Sequence, residues 1–151
     1  MRVLIAAIGK AKASPEQQLY LDYITRLKWK IKCREFDVRL QDVKQRRQRE
    51  GECLLDACAG YEKRVALDES GKLLSSREFA QMMGGWQQQG CSSFAFIIGG
   101  ADGLSDAVLK QSHLVWSLGR VTWPHRLVRP LLAEQLYRAW SMLGNHPYHR
   151  D

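Results

Sequence analysis

Ser93-Phe94-Ala95-Phe96-Ile97-Ile98-Gly99-Gly100-Ala101-Asp102-Gly103 is the stretch that decides the fold. Its first six residues carry no charge and mix aromatic with β-branched side chains. A half-solvated strand would alternate apolar and polar residues, whereas an uninterrupted run of this kind reads as a strand covered on both faces. The glycines behind it let the backbone turn at once into the next element. Arg2 to Gly9 repeats the pattern through VLIAAI. Strands buried on both faces belong to parallel sheets, and parallel neighbours need helical crossovers.

Working outward, the crossovers are legible. Ser14 is an N-cap, Pro15 occupies the first helical position and Gln17 completes an S-x-x-Q capping box. Leu19, Tyr23, Ile24 and Leu27 follow at helical spacing and are expected to face the core. Ile31 to Leu40 reads as a second strand whose alternation slips before Phe36, which predicts a bulge. Asp42 to Ala59 reads as a helix with a loose start, weakened by Gly51. Arg64 to Leu67 is a short strand ended by the turn Asp68-Glu69-Ser70-Gly71. Ser75 and Glu78 form a capping box ahead of Phe79, Met82, Met83 and Trp86, with Gly84 and Gly85 weakening that helix's end. Ser105 caps a short helix through about Gln111. His113 to Leu118 is a fifth strand, Gly119 to His125 a loop, and a long last helix ends near Leu143. The expectation is a single α/β domain over residues 1–151, with a mostly parallel sheet of about five strands covered on both faces.

Composition supports this frame. The 151 residues suit one domain. Hydrophobic residues at 45% and charged residues at 26% exclude a disordered chain. No apolar run reaches the ~18 residues of a membrane helix, and Val3 to Ile8 is too short for a signal-peptide core. A soluble, cytoplasmic protein is expected. Lys plus Arg number 23 against 16 Asp plus Glu, a net charge of +7 that favours a polyanion, with nucleic acid the common case. Cys33, Cys53, Cys58 and Cys91 form no C-x-x-C pair, so zinc-ribbon spacing is absent and buried free thiols are expected. No metal site is expected.

Ligands of open parallel sheets bind beyond the carboxyl ends of the strands. Three loops lie there: Leu67 to Gly71, Gly99 to Gly103, and Leu118 to His125. The middle loop is either a tight βα turn or a ligand loop. It lacks the G-x-G-x-x-G dinucleotide spacing, and no P-loop pattern exists. The third loop, Leu118-Gly119-Arg120-Val121-Thr122-Trp123-Pro124-His125, carries a Trp and a His that a plain connector does not need. Beyond it come Arg126, Arg129, Glu134, Gln135, Tyr137 and Arg138 on one helix. The tail Asn145-His146-Pro147-Tyr148-His149-Arg150-Asp151 is either a frayed terminus or a base-stacking element.

These strings, together with Thr122-Trp123-Pro124-His125-Arg126-Leu127-Val128-Arg129, Glu134-Gln135-Leu136-Tyr137-Arg138-Ala139-Trp140 and Ala66-Leu67-Asp68-Glu69-Ser70-Gly71-Lys72, resemble the RlmH family along essentially the whole chain. The resemblance implies an S-adenosylmethionine-dependent methyltransferase of the SPOUT class. Its expected substrate is the N3 nitrogen of a pseudouridine in 23S rRNA on assembled ribosomes. It also implies a homodimer and a trefoil knot, which physical rules alone would not suggest. Carried over by motif, donor contacts fall on Leu67, Gly99, Gly100, Gly103, and on Leu118, Gly119, Arg120, Val121, Thr122 and Trp123. Leu67, Leu118 and Val121 would sandwich the adenine. RNA contacts fall on Arg129, Arg138, Tyr148 and Arg150. Candidates for the base that takes the ring proton are His125, His149 and Glu134. The rival reading of Arg138 is a salt bridge to Glu134, four residues earlier on the same helical face.

Two departures from the family stand out. Pro130 lies where an aliphatic residue is usual, so the last helix either starts later or is kinked. Residues 41–52, with Arg46, Arg47 and Arg49, fit only loosely and are either an RNA contact or a solvated helix face. Two rivals remain: a Rossmann-like nucleotide-binding enzyme, and a ribosome-associated RNA-binding protein without catalysis.

Overall fold

The computed structural model describes residues 1–148. Five strands, β1 (Arg2–Ile8), β2 (Lys30–Phe36), β3 (Lys63–Leu73), β4 (Ser93–Ile98) and β5 (Leu114–Ser117), form one sheet in the order β2-β1-β4-β3-β5. Every pairing is parallel. Helices α1 (Pro15–Arg26), α2 (Val43–Ala57), α3 (Ser76–Gln88), α4 (Asp106–Gln111) and α5 (His125–Leu143) make the crossovers and the final cover.

The two faces of the sheet differ in side-chain size. Val3, Ile5, Val65, Phe94, Phe96 and Trp116 point to one face and pack with residues of α1, α3 and α5. Phe79 of α3 stacks on Trp116 there, with centroids 4.2 Å apart. Ala6, Ala66 and Ala95 point to the other face, with Leu4 and Ile97, against Leu54 of α2 and Val108 of α4. Small strand residues let α2 and α4 come close. At Gly51 of α2, a Cβ would stand 2.3 Å from the Ser105 Oγ. Gly51 is thus the contact point of the two helices, whatever it costs in propensity.

Several elements depart from the sequence expectation. β2 ends at Phe36 rather than Leu40 and pairs with β1 without a bulge. It stops where its partner stops, and the Phe36 carbonyl accepts the Gly9 amide at 2.7 Å. As an edge strand it is solvated on both sides, so its alternation carried no register information. Leu19 is exposed; the inward stripe of α1 is Tyr20, Tyr23, Ile24 and the C-cap Leu27, one position on. Asp68 to Gly71 does not end β3. The strand continues through it as a bulge, and its pairing with β5 resumes at Lys72. Of the four cysteines, all free thiols, Cys58 is buried, Cys53 and Cys91 are intermediate and Cys33 is exposed on the edge strand. α5 starts at His125 and runs through Pro130, so a later start is excluded. α3 carries its reciprocal Ser75–Glu78 capping box and continues past Gly84 to Gln88.

Candidate functional site

The carboxyl ends of β4 and β5, with the bulge inside β3, open into a cavity of about 830 Å³. Its walls are Leu67 to Ser70, Ile98 to Leu104, and the segment from Trp116 to His125 without Arg120 and Pro124. These are the three segments singled out above, the first of them a bulge inside β3 rather than a loop at a strand's end. Leu67, Gly99, Gly100, Gly103, Leu118, Gly119, Val121, Thr122 and Trp123 all line it, whereas Arg120 does not.

The glycine-rich loop is shaped by what presses on it. At Gly99 a Cβ would lie 3.0 Å from Leu104 and 3.1 Å from the Gly103 backbone. Gly103 has φ of +78° and its amide donates to the Gly100 carbonyl at 3.1 Å. In the third loop, the Ser117 hydroxyl donates to the Gly119 carbonyl at 2.7 Å, and the Trp123 indole donates to the Leu118 carbonyl at 3.3 Å. Trp123 is therefore half-exposed over its own loop rather than packed in the core.

Helix α2 holds the glycine-rich loop from outside, a role that composition did not disclose. Arg46 donates to Asp102 through Nε at 2.9 Å and Nη2 at 2.6 Å, and to the Leu40 carbonyl at 2.7 Å. Arg47 donates to the Leu104 carbonyl at 2.8 Å and lines the cavity. Arg49 pairs with Glu52 at the surface. Residues 41–52 are accordingly neither a plain solvated face nor free cations: two of their three arginines clamp the loop.

Glu50, directly after those arginines in α2, was missed by the sequence reading. It is only 5% exposed, and its Oε2 has no hydrogen-bond partner. A Cβ on Gly100 would approach both carboxylate oxygens to 3.2 Å. Burial, then Asp102, push its carboxyl above the usual range, while Arg46 and His125 oppose the shift. The only signal in the sequence was a Glu beside a helical glycine, and tertiary closeness cannot be read from that.

His125 opens α5 and reaches back across the sheet. Its Nε2 lies 2.9 Å from the Ile8 carbonyl. A carbonyl only accepts, so Nε2 carries the hydrogen and, in the neutral ring, Nδ1 is left as the acceptor. His125 also borders a second cavity, of about 240 Å³, beyond β1. Arg129 is buried there, ion-paired to Glu35 and donating to the Gly9 carbonyl. Its charge is engaged within the chain.

Glu134, Arg138 and Tyr148 form a separate cluster that does not line the 830 Å³ cavity. Arg138 donates to Glu134 Oε1 through Nε at 2.9 Å and Nη2 at 2.6 Å, which is the salt-bridge alternative. The Tyr148 ring meets Tyr137 edge-on at 4.6 Å, with Arg26 and Arg138 over its face. Burial, helped by the Tyr23 hydroxyl and Glu134, pushes the Tyr148 hydroxyl up. His149 and Arg150 lie outside the described residues.

The chain matches the sequence model of the family described as "Predicted SPOUT methyltransferase" over residues 1–149. It belongs to the SPOUT methyltransferase family. Among proteins similar to this SPOUT methyltransferase, one from Paramagnetospirillum magneticum is 50% identical over 151 residues, covering 99% of each chain. Another, from Rhodospirillum centenum, is 42% identical with the same coverage. Both are named "Ribosomal RNA large subunit methyltransferase H". Among solved structures, "a probable methylase family protein from Haemophilus influenzae Rd KW20" superposes with a TM-score of 0.61 at 10% identity. It covers 99% of this chain and 70% of that one, and the likeness shows the fold.

The strand-end cavity fits a methyl donor of nucleoside type. Its volume is within the ~300–1,000 Å³ of small-molecule sites. Its lining joins apolar side chains to loop backbone, and one lining residue, Trp116, has a buried indole N–H with no partner among the described residues. Among the described residues no cluster of His, Cys, Asp or Glu could hold a metal, and no helix is long and apolar enough to cross a membrane.

Proposed function

We propose that this chain methylates N3 of a pseudouridine in 23S rRNA on assembled ribosomes, using S-adenosylmethionine, as a cytoplasmic homodimer. The whole chain would act as one SPOUT-like methyltransferase domain carrying a trefoil knot. The observation that carries this reading is the full-length identity of 50% to a relative named for large-subunit rRNA methylation. The cavity built from the β3 bulge and the loops after β4 and β5 is the physical support.

S-adenosylmethionine supplies an electrophilic methyl group, which leaves a neutral thioether behind. The chain's part is alignment, since two reactants held in line gain most from positioning. Leu67, Leu118 and Val121 offer an apolar slot for the adenine. Gly99, Gly100 and Gly103, with the 118–123 backbone, offer close approach and edge hydrogen bonds. The acceptor N3 loses a proton as the N–CH3 bond forms, and the proposed acceptor of that proton is Nδ1 of His125, the nitrogen not engaged by the Ile8 carbonyl. His149 is the alternative base from the tail. Glu134 is the weaker candidate, because Arg138 already engages its carboxylate. Arg129, Arg138, Tyr148 and Arg150 remain proposed RNA contacts, with Arg129 the least available of the described ones.

Labelled S-adenosylmethionine and ribosomes from cells lacking the protein test this directly, with the product mapped by mass spectrometry. One methyl on a 23S pseudouridine is expected. No transfer by a folded, donor-binding protein overturns the acceptor assignment. A protein truncated after Asn145 is expected to bind donor yet not methylate; retained methylation refutes the tail's role.

A further inference from the structure

We propose that the second cavity, beyond the carboxyl end of β1, holds a backbone phosphate of the RNA strand that carries the acceptor nucleotide. This rests on the RNA reading above and deepens it by locating one contact. At about 240 Å³ the cavity falls below the ~300 Å³ where whole small-molecule sites begin. It suits a single charged group.

Its walls are built before any ligand arrives. Gly9 turns with φ of +86°, and its amide is held by Phe36. The Ala11 amide donates to Glu35 Oε1 at 3.0 Å, and Arg129 ties Glu35 to the Gly9 carbonyl. This pair, a buried Arg129 with a part-exposed Glu35, fixes the turn and uses up its own charges. Lys10 and Lys12 flank Ala11, are exposed, and have no described ion pair. The exposed Arg49 of α2, by contrast, finds the carboxylate of Glu52. Arg126, 74% exposed, faces the same space. The acidic residue in the lining is Glu16. Hydrogen bonds from the backbone and Ser14 lower its carboxyl below the usual range, its Oε1 stands 3.9 Å from Arg126, and its Oε2 is buried without a partner among the described residues, so three cations face this one carboxylate.

The position is informative as well as the charge. His125 lines both cavities. An anion held by Lys10, Lys12 and Arg126 therefore lies in a cavity that shares His125 as a wall with the proposed donor cavity. A nucleotide whose phosphate is gripped there can present its base toward His125. Phosphate contacts set register and orientation without reading sequence, which is what a small chain needs on a substrate already shaped by the ribosome.

The test uses Lys10→Ala/Lys12→Ala and Lys10→Glu/Lys12→Glu in the full chain. The alanine pair is expected to raise KM for ribosomes roughly tenfold, with kcat and S-adenosylmethionine affinity unchanged. The slope of log kcat/KM against log salt is expected to flatten by about 0.7 for each lost contact with single-stranded RNA. The glutamate pair is expected to do more of both. Co-sedimentation with ribosomes at graded salt reads the same slope without chemistry, so a failure of methylation does not hide the result. An unchanged slope in the glutamate pair overturns the proposal. So does an equal flattening in Arg49→Ala, which would mean a diffuse field, or a parallel loss of donor affinity, which would place the lysines in the donor site. Inorganic phosphate at moderate concentration should compete with ribosomes in the wild type and not in the alanine pair; equal competition in both overturns a local phosphate site.

Discussion

His125 and Ile8, separated by 117 positions in the chain, are joined by a 2.9 Å hydrogen bond from the imidazole Nε2 to the backbone carbonyl. The bond fixes the ring's orientation and its tautomer together. It turns a surface histidine at a helix start into a group with one committed nitrogen and one free one.

If that free nitrogen takes the acceptor proton, His125→Ala should lower kcat more than tenfold while donor affinity and ribosome binding stay at wild-type values. Single-turnover methylation with saturating donor is the measurement. Unchanged turnover here and in His149→Ala would remove both histidines from the chemistry and leave the proton to solvent.

The Arg46–Asp102 bridge should control donor affinity without touching the reaction. Both side chains are about a quarter exposed, at 26% each, so solvent takes part of the ~1.5–3 kcal/mol of a charge-assisted bond. Arg46→Ala is expected to weaken binding of S-adenosylhomocysteine by roughly tenfold, or ~1.4 kcal/mol, in a calorimetric titration. Wild-type affinity would show that the loop keeps its shape without the clamp.

Glu50 should cost stability at neutral pH. Its folded carboxyl titrates above its unfolded one, so the native state binds the extra proton, and stability falls as pH rises through the interval between the two values. Glu50→Gln removes that loss. Its melting temperature should exceed wild type at pH 7–8 by about 2–4 °C per kcal/mol recovered, with the gain vanishing near pH 4. A gain that is the same at both pH values would rule out ionisation as its source.

Two helical glycines should respond oppositely to alanine. Gly85 faces open space, so Gly85→Ala should gain roughly 0.5–1 kcal/mol. Gly51→Ala places its methyl 2.3 Å from the Ser105 hydroxyl, and overpacking of ~1–3 kcal/mol should exceed the propensity gain. Denaturant midpoints decide this, and stabilisation by both would contradict the close approach of α2 to α4.

The sequence disclosed what local chemistry determines. VLIAAI and SFAFII are strands because both faces are covered, and the caps Ser14 and Ser75 are written in short motifs. The loops after β4 and β5 followed from the parallel sheet, whereas the Asp68–Gly71 turn proved to be a bulge that β3 passes through. Leu19 and the end of β2 misled because neighbours, not periodicity, decide which side of an exposed element is wet. Arg46, Arg47 and Glu50 were unreadable for a different reason. Their partners lie about fifty residues away, and only the closeness of α2 to the loop after β4 gives them a role.

The stitches from α5 to the end of β1, His125 to Ile8 and Arg129 to Gly9, also set an order in time. Every strand pairing in the sheet is non-local, and a parallel sheet assembles slowly. Because His125 and Val128 supply part of the cavity wall, a nascent chain lacking α5 has only an incomplete recess. If the cavity is the donor site proposed above, the chain becomes competent for a methyl donor only after its last helix has been synthesised and docked, and a partly made copy lacks the finished recess.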